Sequence, residues 1–396
     1  MKKKLGIYIH IPFCIQKCLY CDFLSMPAPR SQQAAYVRAL VREMESQAPY
    51  YKGYRAETVF LGGGTPSLLS VEEIGAVFAC LRDCYQVVRD AEITMEMNPG
   101  TVTEEKLAAC QKAGVNRISL GLQSADNVQL RRLGRIHTWE MFLQSYRLCR
   151  GYGFDNIIID LMSGLPGQSP ASWKDTLEKT IALSPEHISA YSLIIEEGTP
   201  FYEKYGGMGG ADAQRGAWSR EEALPDEDTE REMYEFTGRF LAKQGYARYE
   251  ISNYARPGKA CRHNCTYWTR GEYAGFGLGA ASMVADRRWS NVRGMQEYLD
   301  MWLNPNPDAG AVRVMDAHDL SGQERMEETM YLGLRMTQGV SLTEFRRTFG
   351  CEMEEIYGEV LGRYLAMGLL RRTGDRVSLT DRGIDVSNYV LADFLL

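Results

Sequence analysis

The stretch Leu5-Gly-Ile-Tyr8-Ile-His10-Ile-Pro12-Phe13-Cys14-Ile-Gln-Lys-Cys18-Leu-Tyr20-Cys21 decides how this chain is read. Its first half, Leu5–Ile11, is short and rich in isoleucine, as a buried strand is. Its second half carries three thiols in the spacing C-x3-C-x2-C. Three thiolates on one short loop can converge on a single inorganic centre. A structural zinc takes four protein ligands, and a conventional ferredoxin cluster takes four cysteines. Three ligands therefore point to a four-iron cluster with one iron left open for a substrate or cofactor. A zinc loop completed by a distant residue such as Cys261 or Cys265 is the competing reading, because spacing alone admits it.

Working outward, strand-like and helix-like segments alternate through the first half of the chain. Strands are expected at Leu5–Ile11, Thr58–Leu61, Glu92–Met97, Arg117–Leu122, Asn156–Leu161 and His187–Ile194. Amphipathic helices are expected at Gln32–Gln47, Val71–Cys84, Glu104–Ala113, Thr138–Arg150 and Ala171–Ala182. Hydroxyl residues stand at several helix starts, as in Thr101-Val-Thr103-Glu-Glu-Lys, where a side-chain oxygen can satisfy free first-turn amides. Serial βα units imply a parallel sheet, open or closed, with ligands at the carboxyl ends of its strands.

The pattern changes after Thr199. Gly206–Asp228 reads as a long loop or insertion, Glu227–Gln244 as a helix and Tyr246–Tyr254 as a strand. Pro305–Gly310 looks like a linker. Gln323–Arg335, Ser341–Phe349 and Met353–Met367 are helical, Leu369–Thr380 is a hairpin, and a final helix spans Asp381–Leu395. The expected division is 1–205 for the βα core, 206–304 for an extension and 305–396 for a mostly helical, winged-helix-like domain.

The 396 residues carry a formal charge of −6, with 51 acids against 45 bases. This argues against a broad nucleic-acid face. No apolar run approaches the roughly 18–20 residues that span a bilayer, so an integral membrane protein is not expected. Without a secretion signal, the ten cysteines are expected as thiols or metal ligands in a reducing compartment rather than as disulfides.

Other residues stand where a site would need them. Gly62-Gly63-Gly64-Thr65 follows the second strand, and consecutive glycines allow close approach and positive φ. Glu96 and Asp160 end the third and fifth strands, where a carboxylate faces the ligand mouth or caps the next helix. Gln123 follows the fourth strand. Arg135 can pair a carboxylate through two hydrogen bonds.

The cysteine spacing after the first strand resembles the signature of the radical S-adenosylmethionine (SAM) superfamily. Tyr8-Ile-His-Ile-Pro-Phe-Cys14 and Cys21-Asp-Phe23 resemble the branch related to anaerobic coproporphyrinogen III oxidase. The resemblance implies an α/β fold, a partial (βα)6 barrel of the TIM type. It implies a 4Fe-4S cluster on Cys14, Cys18 and Cys21, with SAM on the open iron. It places Gly63, Gly64 and Thr65 at the SAM amino group. Glu96 and Asp160 would lie on hydroxyl or amine donors, Arg135 with Gln123 on a further cofactor group, and Tyr8 and Tyr20 against the cofactor.

Within that branch, the oxidase carries a cysteine where this chain has Phe23. His263-Asn264-Cys265-Thr-Tyr267-Trp268, an H-N-x-x-Y-W pattern, resembles the HemW haem-chaperone subfamily. That resemblance implies a haem site at His263, Asn264, Tyr267 and Trp268, transfer of haem to an acceptor such as a membrane respiratory protein, and a flavodoxin or ferredoxin as electron donor. The expected location is cytoplasmic, with peripheral membrane contact during transfer. A histidine satisfied within the core is the alternative for His263, and Cys265 is left unassigned. The competing function is oxygen-independent oxidation of coproporphyrinogen III to protoporphyrinogen IX by a 5′-deoxyadenosyl radical.

Overall fold

Side chains alternate along the first strand between an apolar and a polar face, and the fold follows from that alternation. The computed structural model describes residues 2–206, 223–304 and 314–396. Most of the Gly206–Asp228 segment and all of Pro305–Gly310 lie outside the described residues. The strands are β1 (Lys3–Ile11), β2 (Tyr54–Gly63), β3 (Val87–Met97), β4 (Arg117–Gln123), β5 (Ile157–Ser163) and β6 (His187–Ser192). They pair in sequence order, each parallel to the next. The helices between them are α1 (Arg30–Gln47), α2 (Val71–Cys84), α3 (Glu104–Ala113), α4 (Asn127–Arg132), α5 (Trp139–Gly151) and α6 (Pro170–Ala182).

Ile7, Ile9, Val59, Leu61, Met95, Ile118, Leu120, Ile157, Ile159 and Ile188 belong to one buried apolar core with the helices. Each such side chain contributes about 1.5–3 kcal/mol when fully buried, so a charge at Ile9 would break the layer. The intervening positions, Tyr8, His10, Thr58, Glu96, Ser119, Asp160 and Tyr191, carry hydrogen-bonding groups, which strand alternation turns to the other side. Caps hold the crossovers. Ser70 and Glu73 form a reciprocal capping box on α2, and Thr103 caps α3 as its sequence suggests.

The sheet does not close by joining β1 to β6. Beyond β6 come β7 (Ala247–Arg248) and β8 (Asn253–Ala255), the latter antiparallel to β6. On its other side β1 pairs in parallel with β9 (Tyr273–Phe276), followed by β10 (Ala281–Val284), β11 (Arg287–Asn291) and β12 (Val314–Asp319). The glycine-dense stretch after Gly271 thus supplies strand. Gly275 has no room for a Cβ, which would lie 2.9 Å from the Ala281 carbonyl carbon. The expected boundary at 305 falls before β12, whose pairing ties 314–319 to the large sheet.

The remaining helices are α7 (Pro200–Tyr205), α8 (Glu227–Lys243), α9 (Arg262–Trp268), α10 (Met295–Leu303), α11 (Gly322–Gly333), α12 (Leu342–Phe349) and α13 (Met353–Ala366). A second core gathers α11 to α13 with the sheet of β13 (Val340–Ser341), β14 (Leu370–Thr373) and β15 (Arg376–Leu379). The expected final helix is instead two short ones, Asp381–Asp385 and Ser387–Ala392. They part at Val386, whose ψ of 29° leaves helical geometry. No helix among the described residues is long and apolar enough to cross a membrane.

Glu43 of α1 is wholly buried where α1 meets β9, β11 and α10. It accepts hydrogen bonds from Gly277 N (2.8 Å), Asn291 Nδ2 (2.6 Å) and Tyr298 Oη (2.5 Å). Burial pushes its carboxyl up from 4.5 to about 7, against those donors. The folded state therefore holds this proton more tightly than the unfolded chain, and Glu43's contribution to stability declines as pH rises from 4.5 to about 7. Urea denaturation should show that fall flattened in Glu43→Gln. Glu43→Ala, which strands three buried donors, should cost about 3 kcal/mol.

Candidate cluster and cofactor site

The carboxyl ends of the parallel strands surround one cavity of about 460 Å³. Cys14, Cys18 and Cys21 line it from the loop after β1, Gly63 and Gly64 from the end of β2, and Glu96 from β3. Gln123 of β4, Arg135 beyond α4, Asp160 of β5 and Tyr20 complete the expected set around it. Thr65 lies just behind, with its hydroxyl 3.5 Å from Cys14 Sγ and accepting from Asn98 Nδ2 at 2.7 Å.

The glycines serve the loop as much as any ligand. Gly63 has φ +110°, and a Cβ there would enter the His10 ring. A Cβ on Gly64 would lie 2.6 Å from the Phe13 carbonyl oxygen. Gly64 N and Thr65 N donate to the carbonyls of Ile11 and Phe13 at 2.8 and 2.7 Å. The start of the cysteine loop is thereby stitched to β2. His10 Nε2 donates to Leu24 O at 2.8 Å, while Nδ1 accepts from Tyr8 Oη at 2.9 Å, so His10 fixes the loop's far end.

All three cysteines are free thiols. Among the described residues no three His, Cys, Asp or Glu side chains converge to hold a single metal ion. A four-iron cluster, in which each cysteine ligates a different iron, does not require such convergence. Arg135 Nη1 stands 3.7 Å from Cys18 Sγ, and its Nη2 donates to Gly121 O (2.7 Å) and Asn98 Oδ1 (3.0 Å). This arginine is therefore pinned beside the Cys18 sulfur. Burial raises the Cys21 thiol, with Cys18 and Cys14 adding to the shift.

The carboxylates face the cavity short of positive partners. Glu96 accepts from Gly63 N at 3.1 Å, and Asp160 from Ser119 Oγ at 2.9 Å. Burial, then repulsion from Asp160, pushes Glu96 up to about 8. Asp160 is likewise raised by burial, against hydrogen bonds from Ser119 and Ser189. Two acids raised together form a wall that favours a cationic ligand, and SAM carries a sulfonium and an ammonium. Gln123, held at φ +70°, accepts from Tyr191 Oη at 2.9 Å. The donor set thus fits both the cluster and SAM.

Sequence reading overlooked Asn98, Ser119 and Tyr191. Asn98 stands two residues beyond Glu96 and Ser119 lies opposite Glu96 on the neighbouring strand, so strand periodicity was the available signal for both, whereas Tyr191 lies opposite Met162 and had none. Tyr8 does not line the cavity: its ring lies 6.3 Å from that of Phe60 and 6.5 Å from that of His263, and its hydroxyl meets His10 Nδ1 at 2.9 Å.

The H-N-x-x-Y-W segment forms α9 at the opposite end of the strands and does not line the cavity. His263 is buried, with Nδ1 2.9 Å from Thr58 Oγ1 and Nε2 2.8 Å from Tyr267 Oη. Both ring nitrogens are thus occupied, and burial lowers the imidazole to about 3. In this arrangement His263, the first residue of the expected haem motif with Asn264, Tyr267 and Trp268, has both ring nitrogens engaged within the fold. The backbone amides of Arg262 and His263 donate to Glu92 at 3.1 and 2.9 Å, and Glu92 pairs with Arg117 at 3.2 Å. Arg117, 1% exposed, donates in turn to the carbonyl of Lys259 at 2.9 Å. Trp268 packs under the Arg335 guanidinium, 4.5 Å from its ring centre. The segment closes the base of the barrel and joins it to the C-terminal core.

A three-cysteine loop at the mouth of a (βα)6 sheet, with an acidic cofactor wall, defines a radical SAM protein. Residues 8–180 match the Radical SAM superfamily and residues 320–386 the HemN C-terminal domain. The chain is 35% identical over 396 residues to heme chaperone HemW of Lactococcus lactis, covering all of this chain and 98% of that one. It is 34% identical over 395 residues to the heme chaperone HemW of Escherichia coli K12, covering 99% of this chain and 98% of that one. The solved structure of coproporphyrinogen III oxidase (HemN) from Escherichia coli has the same fold, with a TM-score of 0.82 at 22% identity, covering 100% of this chain and 90% of that one. The chain belongs to the HemW family of radical SAM proteins. That membership implies a 4Fe-4S cluster and SAM, in agreement with the fit of the residues above.

Glu96 supplies a test of the acidic wall. An acid with a raised folded pKa destabilises the ligand-free protein progressively as pH rises through 4.5 to about 8. Glu96→Gln should therefore raise the thermal midpoint relative to wild type at about pH 8.5 but much less at about pH 5. Equal differences at the two pH values would contradict the assignment.

Proposed function

We propose that this protein handles haem: it binds haem, carries a 4Fe-4S cluster with SAM, and passes haem to an acceptor protein. The observation that carries the cofactor half is the meeting of Cys14, Cys18, Cys21, Arg135, Glu96 and Asp160 on one cavity. Full-length likeness to relatives named heme chaperone HemW supports the haem half.

In this reading Cys14, Cys18 and Cys21 hold the cluster. Gly63, Gly64 and Thr65 meet the amino group of SAM. Glu96 and Asp160 accept from its donors, and Arg135 with Gln123 orients it. Tyr20 packs beside it. When reduced, the bound cluster supplies the electron that cleaves SAM's sulfonium C–S bond. The protein's part is to hold the ligands in register and to keep stray donors out.

Haem needs an apolar face that is open. Phe23 and Ile194 line the cavity and are 61% and 67% exposed. A flat macrocycle lying on that rim buries both, whereas reaching His263 would break two buried hydrogen bonds. The acceptor in this reading is a membrane respiratory protein, met from the cytoplasm by peripheral contact, and the reductant is a flavodoxin or ferredoxin. Three parts serve the function: the βα core to 205, the extension that carries α9 and the meander through β12, and the helical domain from α11.

Anaerobic reconstitution should load about four irons per chain, and Cys14→Ala should lose them. Full iron retention in that variant would refute the cluster assignment. On haem titration, Phe23→Asp with Ile194→Asp should weaken the Soret-detected complex about tenfold, as expected for loss of a small apolar contact. His263→Ala should keep the complex but melt earlier. A Soret band lost only in His263→Ala would refute the rim as the haem site, and no stoichiometric haem binding by wild type would refute the haem function.

A further inference from the structure

Asn98 stands just beyond β3, between the threonine and the arginine that approach two of the three loop cysteines. Neighbours fix its backbone. Its amide donates to Ser67 Oγ at 3.2 Å, and its carbonyl accepts from Thr101 N at 3.1 Å and Thr101 Oγ1 at 2.7 Å. The side chain is left to form a bridge. Asn98 Oδ1 accepts from Arg135 Nη2 at 3.0 Å, and Asn98 Nδ2 donates to Thr65 Oγ1 at 2.7 Å. Room for the arginine bond depends on Gly121, where a Cβ would lie 3.0 Å from Arg135 Nη2 and 3.2 Å from Asn98 Oδ1.

The direction of each bond follows from the chemistry of the groups. A guanidinium only donates, so the Asn98 oxygen must face Arg135 and its NH2 must face Thr65. The Thr65 hydroxyl then accepts from Asn98, and its own proton is left for another acceptor. Cys14 Sγ lies 3.5 Å from that hydroxyl. A metal-bound cysteine is a thiolate, which only accepts, so the Thr65 proton is directed to Cys14. At the other end of the bridge, Arg135 Nη1 donates toward Cys18 Sγ at 3.7 Å.

We propose that Asn98 is a positioning residue for the cluster. It aims the Thr65 hydroxyl at Cys14 and the Arg135 guanidinium at Cys18, and thereby raises the cluster's reduction potential. This role rests on the cluster assignment proposed above. Hydrogen bonds to ligand sulfurs stabilise the negative charge that reduction adds, so the reduced state gains more from them than the oxidised state. Reduction brings in one electron and breaks no bond.

The test is an anaerobic dithionite titration of the reconstituted full chain without SAM, with the midpoint read from the electron paramagnetic resonance of the reduced cluster. Thr65→Ser keeps the hydroxyl and should hold the wild-type midpoint. Thr65→Val should lower it by the equivalent of about tenfold in the reduction equilibrium, or about 59 mV for one electron. Asn98→Ala should lower it at least as far, because it releases both donors. The two changes combined should shift the midpoint by less than the sum of their separate shifts, since they act through one path. An unmoved midpoint in Thr65→Val or in iron-loaded Asn98→Ala would overturn the proposal, as would additive shifts. If Asn98→Ala takes up no iron, the comparison of Val with Ser at position 65 decides the matter alone. A wild-type chain that assembles no cluster would overturn the underlying site reading instead, so the two failures are distinguishable.

Discussion

The Glu92–Arg117 pair inside the barrel is the interaction on which the rest of this structure depends. Both side chains are almost wholly removed from water. A buried ion pair gains little net stability over apolar packing, but losing one partner leaves a charge stranded at a cost of about 3–5 kcal/mol. This pair also carries added contacts. Glu92 receives the first amides of α9, and Arg117 holds the carbonyls of Lys259 and Ala260. The segment that returns from β8 is thereby bound across β3 and β4, and the barrel has a base.

Above that base the interior is polar in layers. His263, Phe60 and Tyr8 stack, then His10 reaches from Tyr8 to the backbone of the cysteine loop. The cavity lies on top. Placement of the cluster loop therefore rests on an aromatic and imidazole column rooted in α9. This gives the H-N-x-x-Y-W segment a physical role that needs no ligand: it closes the barrel and supports the floor beneath the site.

Much of the site was legible from the chain because its residues sit at strand ends. Glu96 is the penultimate residue of β3, Asp160 lies within β5 three residues before its end, and the three cysteines follow β1 closely. Helix limits such as Val71–Cys84 and Glu104–Ala113 were readable because their hydroxyl caps satisfy free amides at defined positions. Tyr8 shares a face of β1 with His10 but not its depth, and it bonds to that ring without lining the cavity. A histidine beside tyrosine and tryptophan is chemically suited to haem, while in the fold His263 is satisfied by Thr58 and Tyr267. The meander of β9 to β12 was hidden by glycines that normally disfavour strands. Here they are needed where backbones meet, as at Gly275 against Ala281.

The sequence by itself determined the parallel βα order, the three-thiol loop and the chemistry of the acidic strand ends. Those features are local: they depend on periodicity, on caps and on ligand spacing within a few residues. Tertiary structure alone decided which sides of the cysteine loop meet solvent and cavity, that α9 is a plug, and that the sheet continues past β1 through a parallel β9. Each of those depends on contacts between residues more than 100 positions apart, such as Thr58 with His263 and Glu43 with Asn291. No local pattern encodes such pairings. They arise because a polar group buried in the fold must find a partner there, wherever in the chain that partner lies.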